Sequence, residues 1–196
     1  MNHLAHLYLA EGHPGWLCGA LLGDVVKGRL AEDDLSGMTE GVRLHRAIDA
    51  FADSHPVAAR SRQRFRKEYR RYGAIMTDII YDHFLAQSWS DWDHRSLATF
   101  SEEVLGTIIN EREHLPARVV QTSERLRERR ALVHYAGEVF VDRSLQYLGS
   151  RLSRANPLDS AFDEFTRCRD ELKQDFHDFF PELVKFTNDW KHDRQP

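Results

Sequence analysis

Two aspartates, Asp78 and Asp82, stand one helical turn apart in the run Ala74-Ile75-Met76-Thr77-Asp78-Ile79-Ile80-Tyr81-Asp82-His83-Phe84-Leu85-Ala86, which is otherwise apolar nearly all round. Such a run belongs to a helix enclosed by neighbours, and at that pitch both carboxylates leave the same face. An ionised carboxylate in apolar surroundings loses roughly several kcal/mol of solvation, so it must be protonated, paired or bound to a cation. Two on one face point to a divalent metal. The segment Gly41 to Asp53 repeats the device, because His45, Asp49 and Asp53 share a stripe beside the apolar stripe of Leu44, Ile48 and Phe51. An imidazole and a carboxylate one turn apart form half of a divalent-ion site. Asp24, preceded by Gly23, reads alone as a turn residue. It becomes a further ligand candidate if its helix packs antiparallel to the helix of His45.

Imidazole and carboxylate donors without sulfur suit manganese, magnesium or iron rather than a structural zinc. Such an ion lowers the pKa of bound water. Arg43 and Arg46 lie on the His45 helix, with Arg46 the closer to its stripe, and a guanidinium matches phosphate oxygens in a two-pronged fork. Metal-activated water beside an arginine is the machinery of phosphoester hydrolysis.

The elements that must position these groups are helices. No strand alternation, repeat, GxGxxG, P-loop or GxSxG occurs, so an all-α bundle of about eight to ten helices is expected. A chain of 196 residues, 41% of them hydrophobic, suits a single compact domain spanning 1–196. The site falls within 1–90 and helices over 97–190 complete the bundle. A first helix, Asn2 to Ala10, brings His6 as a candidate member of the site. A second runs from Trp16 to Leu30, and a polar connection, Ala31 to Met38, leads to the His45 helix. Later helices are expected over Leu97–Arg112, Ala117–Arg130 and Leu132–Leu152, the last offering Val139, Phe140, Leu145 and Tyr147 to the core. Pro157 opens the final helical region, and Pro181 starts a separate short helix.

A formal net charge of −4 gives no global argument for nucleic acid. Locally, Arg60, Arg62, Arg64, Arg66, Lys67, Arg70 and Arg71 stand against one acid, Glu68. This excess of one sign between the two halves of the candidate site suggests a docking surface for an anionic partner. Cys18 and Cys168 form no CxxC pair, and no run approaches the roughly 18 apolar residues of a membrane span, so a reducing, cytoplasmic setting is expected.

The opening Asn2-His3-Leu4-Ala5-His6-Leu7-Tyr8-Leu9-Ala10, the Gly23-Asp24 pair, Arg43-Leu44-His45-Arg46-Ala47-Ile48-Asp49, Asp53-Ser54-His55-Pro56 and the run from Asp78 to Leu85 together resemble the acyl carrier protein phosphodiesterases. That family is regarded as divergent from the HD-type metal-dependent phosphohydrolases. The resemblance is dense over the first ninety or so residues and sparse afterwards. It implies an HD-like helical fold and hydrolysis of the phosphodiester between 4′-phosphopantetheine and a serine of holo acyl carrier protein, with a divalent cation, most often manganese. It also gives the basic run an acidic partner. Carried over by position, it implies Asp24, His45, Asp49 and Asp82 as metal ligands. Arg46 would stabilise charge, Asp78 and His83 would support the ligands or donate protons, and His6 stays a further catalytic candidate. The order Asp82-His83 is the reverse of the histidine–aspartate order that names the HD proteins. A phosphohydrolase acting on a nucleotide or another small phosphate ester is the alternative reading. A helical adaptor whose buried acids pair with arginines is a third, and it predicts no metal.

Overall fold

The computed structural model describes residues 2–30 and 37–194, and the described residues form eleven α-helices with no strand. The first is α1 (His3–Leu9), short and buried along Leu4, Ala5, Leu7 and Leu9. A seven-residue helix is marginal by itself because its first N–H groups lack partners. Asp82 supplies them from elsewhere in the chain: its carboxylate accepts the backbone N–H of Leu4 at 2.8 Å and of Ala5 at 3.2 Å.

Helix α2 (Pro14–Leu22) starts with proline at its first position, and the Nδ1 of His13 accepts the N–H of Gly15 at 3.1 Å. It ends before Asp24, eight residues earlier than Leu30, because Gly23 and Asp24 enter a turn. Its neighbour α3 (Thr39–Ser54) carries His45 and Asp49. Gly15, Gly19 and Gly23 recur at every fourth residue of α2 and so make one bare stripe. Against it lies the stripe of Gly41 and His45. A β-carbon on Gly19 would sit 2.2 Å from the carbonyl carbon of Gly41, and one on Gly23 would sit 2.2 Å from the His45 ring. Gly19 faces Gly41 and Gly23 faces His45, so the two helices run in the same sense rather than antiparallel. Of the connection expected over Ala31 to Met38, residues 31–36 lie outside the described ones.

Helix α4 (Pro56–Arg64) follows directly, its N-terminus held by His55 Nδ1, which accepts the N–H of Val57. Helix α5 (Gly73–Gln87) is the central rod, with Met76, Ile80, Tyr81, Phe84 and Leu85 enclosed. Helices α6 (Leu97–Asn110), α7 (Ala117–Glu128), α8 (Ala131–His134), α9 (Glu138–Arg151), α10 (Ala161–Arg167) and α11 (Arg169–His192) complete the bundle.

Three expectations need correction. The helix expected over Leu132–Leu152 is two helices, parted where Gly137 takes an extended conformation. Val139 and Tyr147 do not enter the core; they are 62% and 61% exposed, while Val141 and Leu145 turn inward. Pro181 does not open a new helix but lies inside α11. It removes one backbone donor, and the buried stripe of Leu172, Phe176, Phe179, Phe180 and Leu183 carries the helix across the gap.

The α2–α3 crossing generates a direct test. Gly19→Ala forces backbone against backbone, with no flexible side chain to give way, so it should destabilise by about 3 kcal/mol, the upper end for overpacking. Gly106→Ala, at a position where a β-carbon meets nothing within 4 Å, should be neutral or stabilising. Urea unfolding of the two variants checks both.

Candidate functional site

The crossing of α2 and α3 fixes His45. Its Nδ1 lies 2.9 Å from the carbonyl oxygen of Ala20, and a carbonyl can only accept, so the imidazole carries its proton there. The opposite nitrogen, Nε2, is then a lone pair in the neutral ring. It points at Oδ2 of Asp49, 3.2 Å away, and lies 3.9 Å from Oδ1 of Asp24. His6 reaches the same point from α1, its Nε2 3.1 Å from the other Asp49 oxygen. The two imidazoles stack with centroids 3.9 Å apart and planes 15° from parallel. Both rings are buried, while the side chains of Asp49 and Asp24 remain 44% and 56% exposed. The cluster therefore has an apolar floor and a carboxylate mouth.

Its electrostatics follow from that placement. Burial pushes His6 down to about 4, against the opposing hydrogen bond to Asp49. Burial alone would raise the Asp49 carboxyl, but its hydrogen bonds with His45 and His6 hold it well below the usual carboxylate range.

The donor set fits a divalent ion. Donor atoms of His6, His45 and Asp49 lie within 4.8 Å of one another. Two donors about 2.1 Å from one ion at right angles are separated by about 3 Å, close to the spacing of Asp49 from each imidazole. Two nitrogens with carboxylate oxygens and no sulfur match manganese or iron better than a structural zinc.

The remaining residues of the expected site separate into groups. Asp82 is fully buried as the cap of α1, both its oxygens engaged by backbone N–H, and it lies outside the close group of His6, His45 and Asp49. Burial pushes its carboxyl up to about 7 despite those two bonds. His83 is also fully buried, its Nδ1 2.8 Å from the carbonyl oxygen of Tyr135 and its ring edge-on to Phe165, so it is a core residue rather than a proton donor. Arg46 donates to the carbonyls of Gly28 and Val26 and fastens the segment after Asp24 instead of pointing at His45. Asp78 is half-buried and borders an open groove with Asp24 and His3, and burial raises its carboxyl. Asp53, the third member of the α3 stripe, faces solvent and pairs with Arg62.

The basic run is largely neutralised within the fold. Arg60 and Arg64 both bind Asp175 of α11, which is fully buried and also accepts the hydroxyl of Ser61. Arg60 reaches Asp178 as well, Arg66 lies 3.6 Å from Glu164, and Arg70 donates to the carbonyls of Phe65 and Gln63. Lys67 and Arg71 are left as exposed cations. Apart from Asp53, which meets Arg62, the acids that pair with the run lie more than ninety residues downstream, so its local sequence could not reveal them.

Two features were missed in the sequence. The Ala20 carbonyl, which sets the His45 tautomer, leaves no trace in residue type. His3, 3.8 Å from Asp24, carries no spacing signal of its own. The glycine stripe of α2 was visible and marks where another backbone comes close.

A helical bundle that gathers two imidazoles and two carboxylates at the crossing of three helices defines a nitrogen–oxygen donor site of hydrolytic type. The family model described as acyl carrier protein phosphodiesterase matches residues 1–183. A protein of that name from Serratia proteamaculans is 30% identical over 190 residues, 96% of this chain and 98% of its own length. Another from Escherichia coli is 31% identical over 188 residues, 94% of this chain and 96% of its own. The chain belongs to the acyl carrier protein phosphodiesterase family. No solved structure matches it.

Two substitutions measure what Asp82 contributes as the cap of α1. Asp82→Asn keeps one acceptor but sets its amide NH2 against the other α1 N–H and should cost about 1–2 kcal/mol, whereas Asp82→Ala strips both acceptors and should cost about 2–3 kcal/mol. Urea unfolding of the two variants checks both values. At Asp175, burial raises the carboxyl but the hydrogen bonds from Arg64, Ser61 and Arg60 outweigh it, leaving the group below its ordinary value. Its contribution is therefore present above about pH 4 and lost as pH falls through the lower folded value. Asp175→Asn should destabilise by about 2–3 kcal/mol at pH 7, below the figure for a fully enclosed pair because both guanidiniums reach water. The penalty should shrink in denaturant titrations carried towards pH 3.

Proposed function

We propose that the protein is a metal-dependent phosphodiesterase that hydrolyses the bond between 4′-phosphopantetheine and the serine of holo acyl carrier protein, releasing the arm and the apo carrier. The observation that carries the chemical part is His45. With its Nδ1 proton committed to Ala20, His45 turns Nε2 towards an Asp49 oxygen 3.2 Å away, a pair that closes through a proton on the imidazolium or, in the neutral ring, through a metal ion. The relatives' names carry the substrate part.

His6, His45 and Asp49 would hold the ion, with Asp24 completing the set from the turn after α2. Manganese is the first choice, with magnesium and iron as alternatives. When bound, the ion supplies Lewis acidity that polarises the phosphodiester and lowers the pKa of water at the site. Asp49 holds both imidazoles in register, and Ala20 keeps the His45 lone pair turned outward. Arg46 holds the segment that follows Asp24, so it positions a ligand rather than touching phosphate. Asp78, its carboxyl raised by burial, stands at the mouth and can give a proton to the departing serine oxygen. The two thiols are free and buried, and no helix among the described residues is long and apolar enough to cross a membrane. Both features are compatible with a cytoplasmic setting.

Purified protein incubated with holo acyl carrier protein and manganese should remove the phosphopantetheine mass from the carrier, and a chelator should stop the loss. His45→Ala should lower turnover by at least about 100-fold, since groups even one shell further from a metal are worth 10–100-fold, and should leave the helical circular dichroism intact. An unchanged carrier mass with manganese-loaded protein would overturn the assignment and favour a small phosphate ester as substrate.

A further inference from the structure

Beside the His/Asp cluster lies a groove of about 1070 Å³, bordered at one end by His3, Asp24 and Asp78 and running out between α5, α7 and α9. Four large hydrophobic side chains of the described residues are exposed, and three of them, Ile75, Val139 and Tyr147, line this groove. The concentration has a simple source in α9. Val139, Arg143 and Tyr147 follow one another at every fourth residue and make a single outward stripe, while Val141 and Leu145 anchor the opposite side. Arg129, at the C-terminal end of α7, joins Arg143 in the lining. Both arginines are exposed, and neither has an ion pair or side-chain hydrogen bond among the described residues.

Unpaired arginines beside exposed tyrosine and aliphatic side chains are the composition of a protein-binding patch, where aromatic and arginine anchors dominate the energy. Two arginines are too few for a nucleic-acid track, which relies on many phosphate contacts. The apolar members favour a folded partner with an acidic surface. Continuity with Asp24 and Asp78 means that whatever sits here presents its attached group to the donor cluster.

We infer that this groove, and not the Arg60–Arg71 run, is where the acyl carrier protein docks, with Arg129 and Arg143 meeting acidic side chains of the carrier and Val139 and Tyr147 packing against its apolar surface. The inference rests on the function proposed above and adds the place and chemistry of recognition. It also separates docking from the ion pairs of Arg60 and Arg64, which belong to the packing of α4 on α11.

The test compares steady-state cleavage of holo acyl carrier protein by the manganese-loaded full-length protein and two double charge reversals. Arg129→Glu with Arg143→Glu should raise KM at least tenfold at low ionic strength, leave kcat within about twofold and flatten the fall of kcat/KM with added salt. Lys67→Glu with Arg71→Glu should change none of the three. All four side chains are exposed, so the variants should fold, which circular dichroism checks. A wild-type enzyme that cleaves the carrier but is insensitive to the groove reversal would overturn the docking site alone. A raised KM in the Lys67/Arg71 variant would do the same and return recognition to the basic run. A wild type that leaves the carrier intact would overturn the function, and the docking site with it.

Discussion

The structure depends most on the close crossing of α2 and α3. Only glycine at positions 19 and 41 lets the two backbones meet, and only glycine at 23 leaves room for the His45 ring. That proximity is what brings the carbonyl of Ala20 to 2.9 Å from His45 Nδ1 and so decides which nitrogen faces the carboxylates. A conformational cost accompanies it, since Gly15 and Gly19 within one short helix weaken its intrinsic propensity by up to roughly 1 kcal/mol each. Burial of Trp16, Leu17, Cys18, Leu21 and Leu22 offsets this, so packing rather than propensity holds the helix.

Charge is divided between two faces with different tasks. On the α4 side, cations are matched by Asp175, Asp178 and Glu164, and the buried Asp175 makes those pairs part of the fold. On the α9 side, cations are unmatched and lie among exposed apolar groups. A sequence-level count ranks the first face higher because seven basic residues crowd into twelve positions. Partners supplied by α10 and α11 reverse that ranking, since a paired guanidinium has little left to offer a second carboxylate.

How much was legible follows from the range of each signal. The helical class, and the placement of His45 and Asp49 on one face, depend on spacing within a single helix and so could be read directly. His6 carried a weaker signal, since nothing local distinguishes a buried ligand from a packed histidine. The surroundings of Asp82 and His83 were illegible for a reason of the same kind. Buried polarity is visible in a sequence, but the partner that satisfies it is not, and their partners were backbone groups of Leu4, Ala5 and Tyr135. The exposed stripe of α9 was hidden because Val139 and Tyr147 have the residue types of a core.

The two carboxylates of α5 then have different tasks although they share a face. Asp78 borders the open groove, and burial raises its carboxyl. Asp82, one turn deeper, binds the first N–H groups of α1 and thereby fixes a helix whose next residue is His6. Its connection to the donor cluster is mechanical, through the placement of His6 against His45, and needs no contact with an ion. A buried aspartate can serve a cluster of polar side chains by holding up the element that carries one of them, and the hydrogen bonds of Asp82 are those of such a cap.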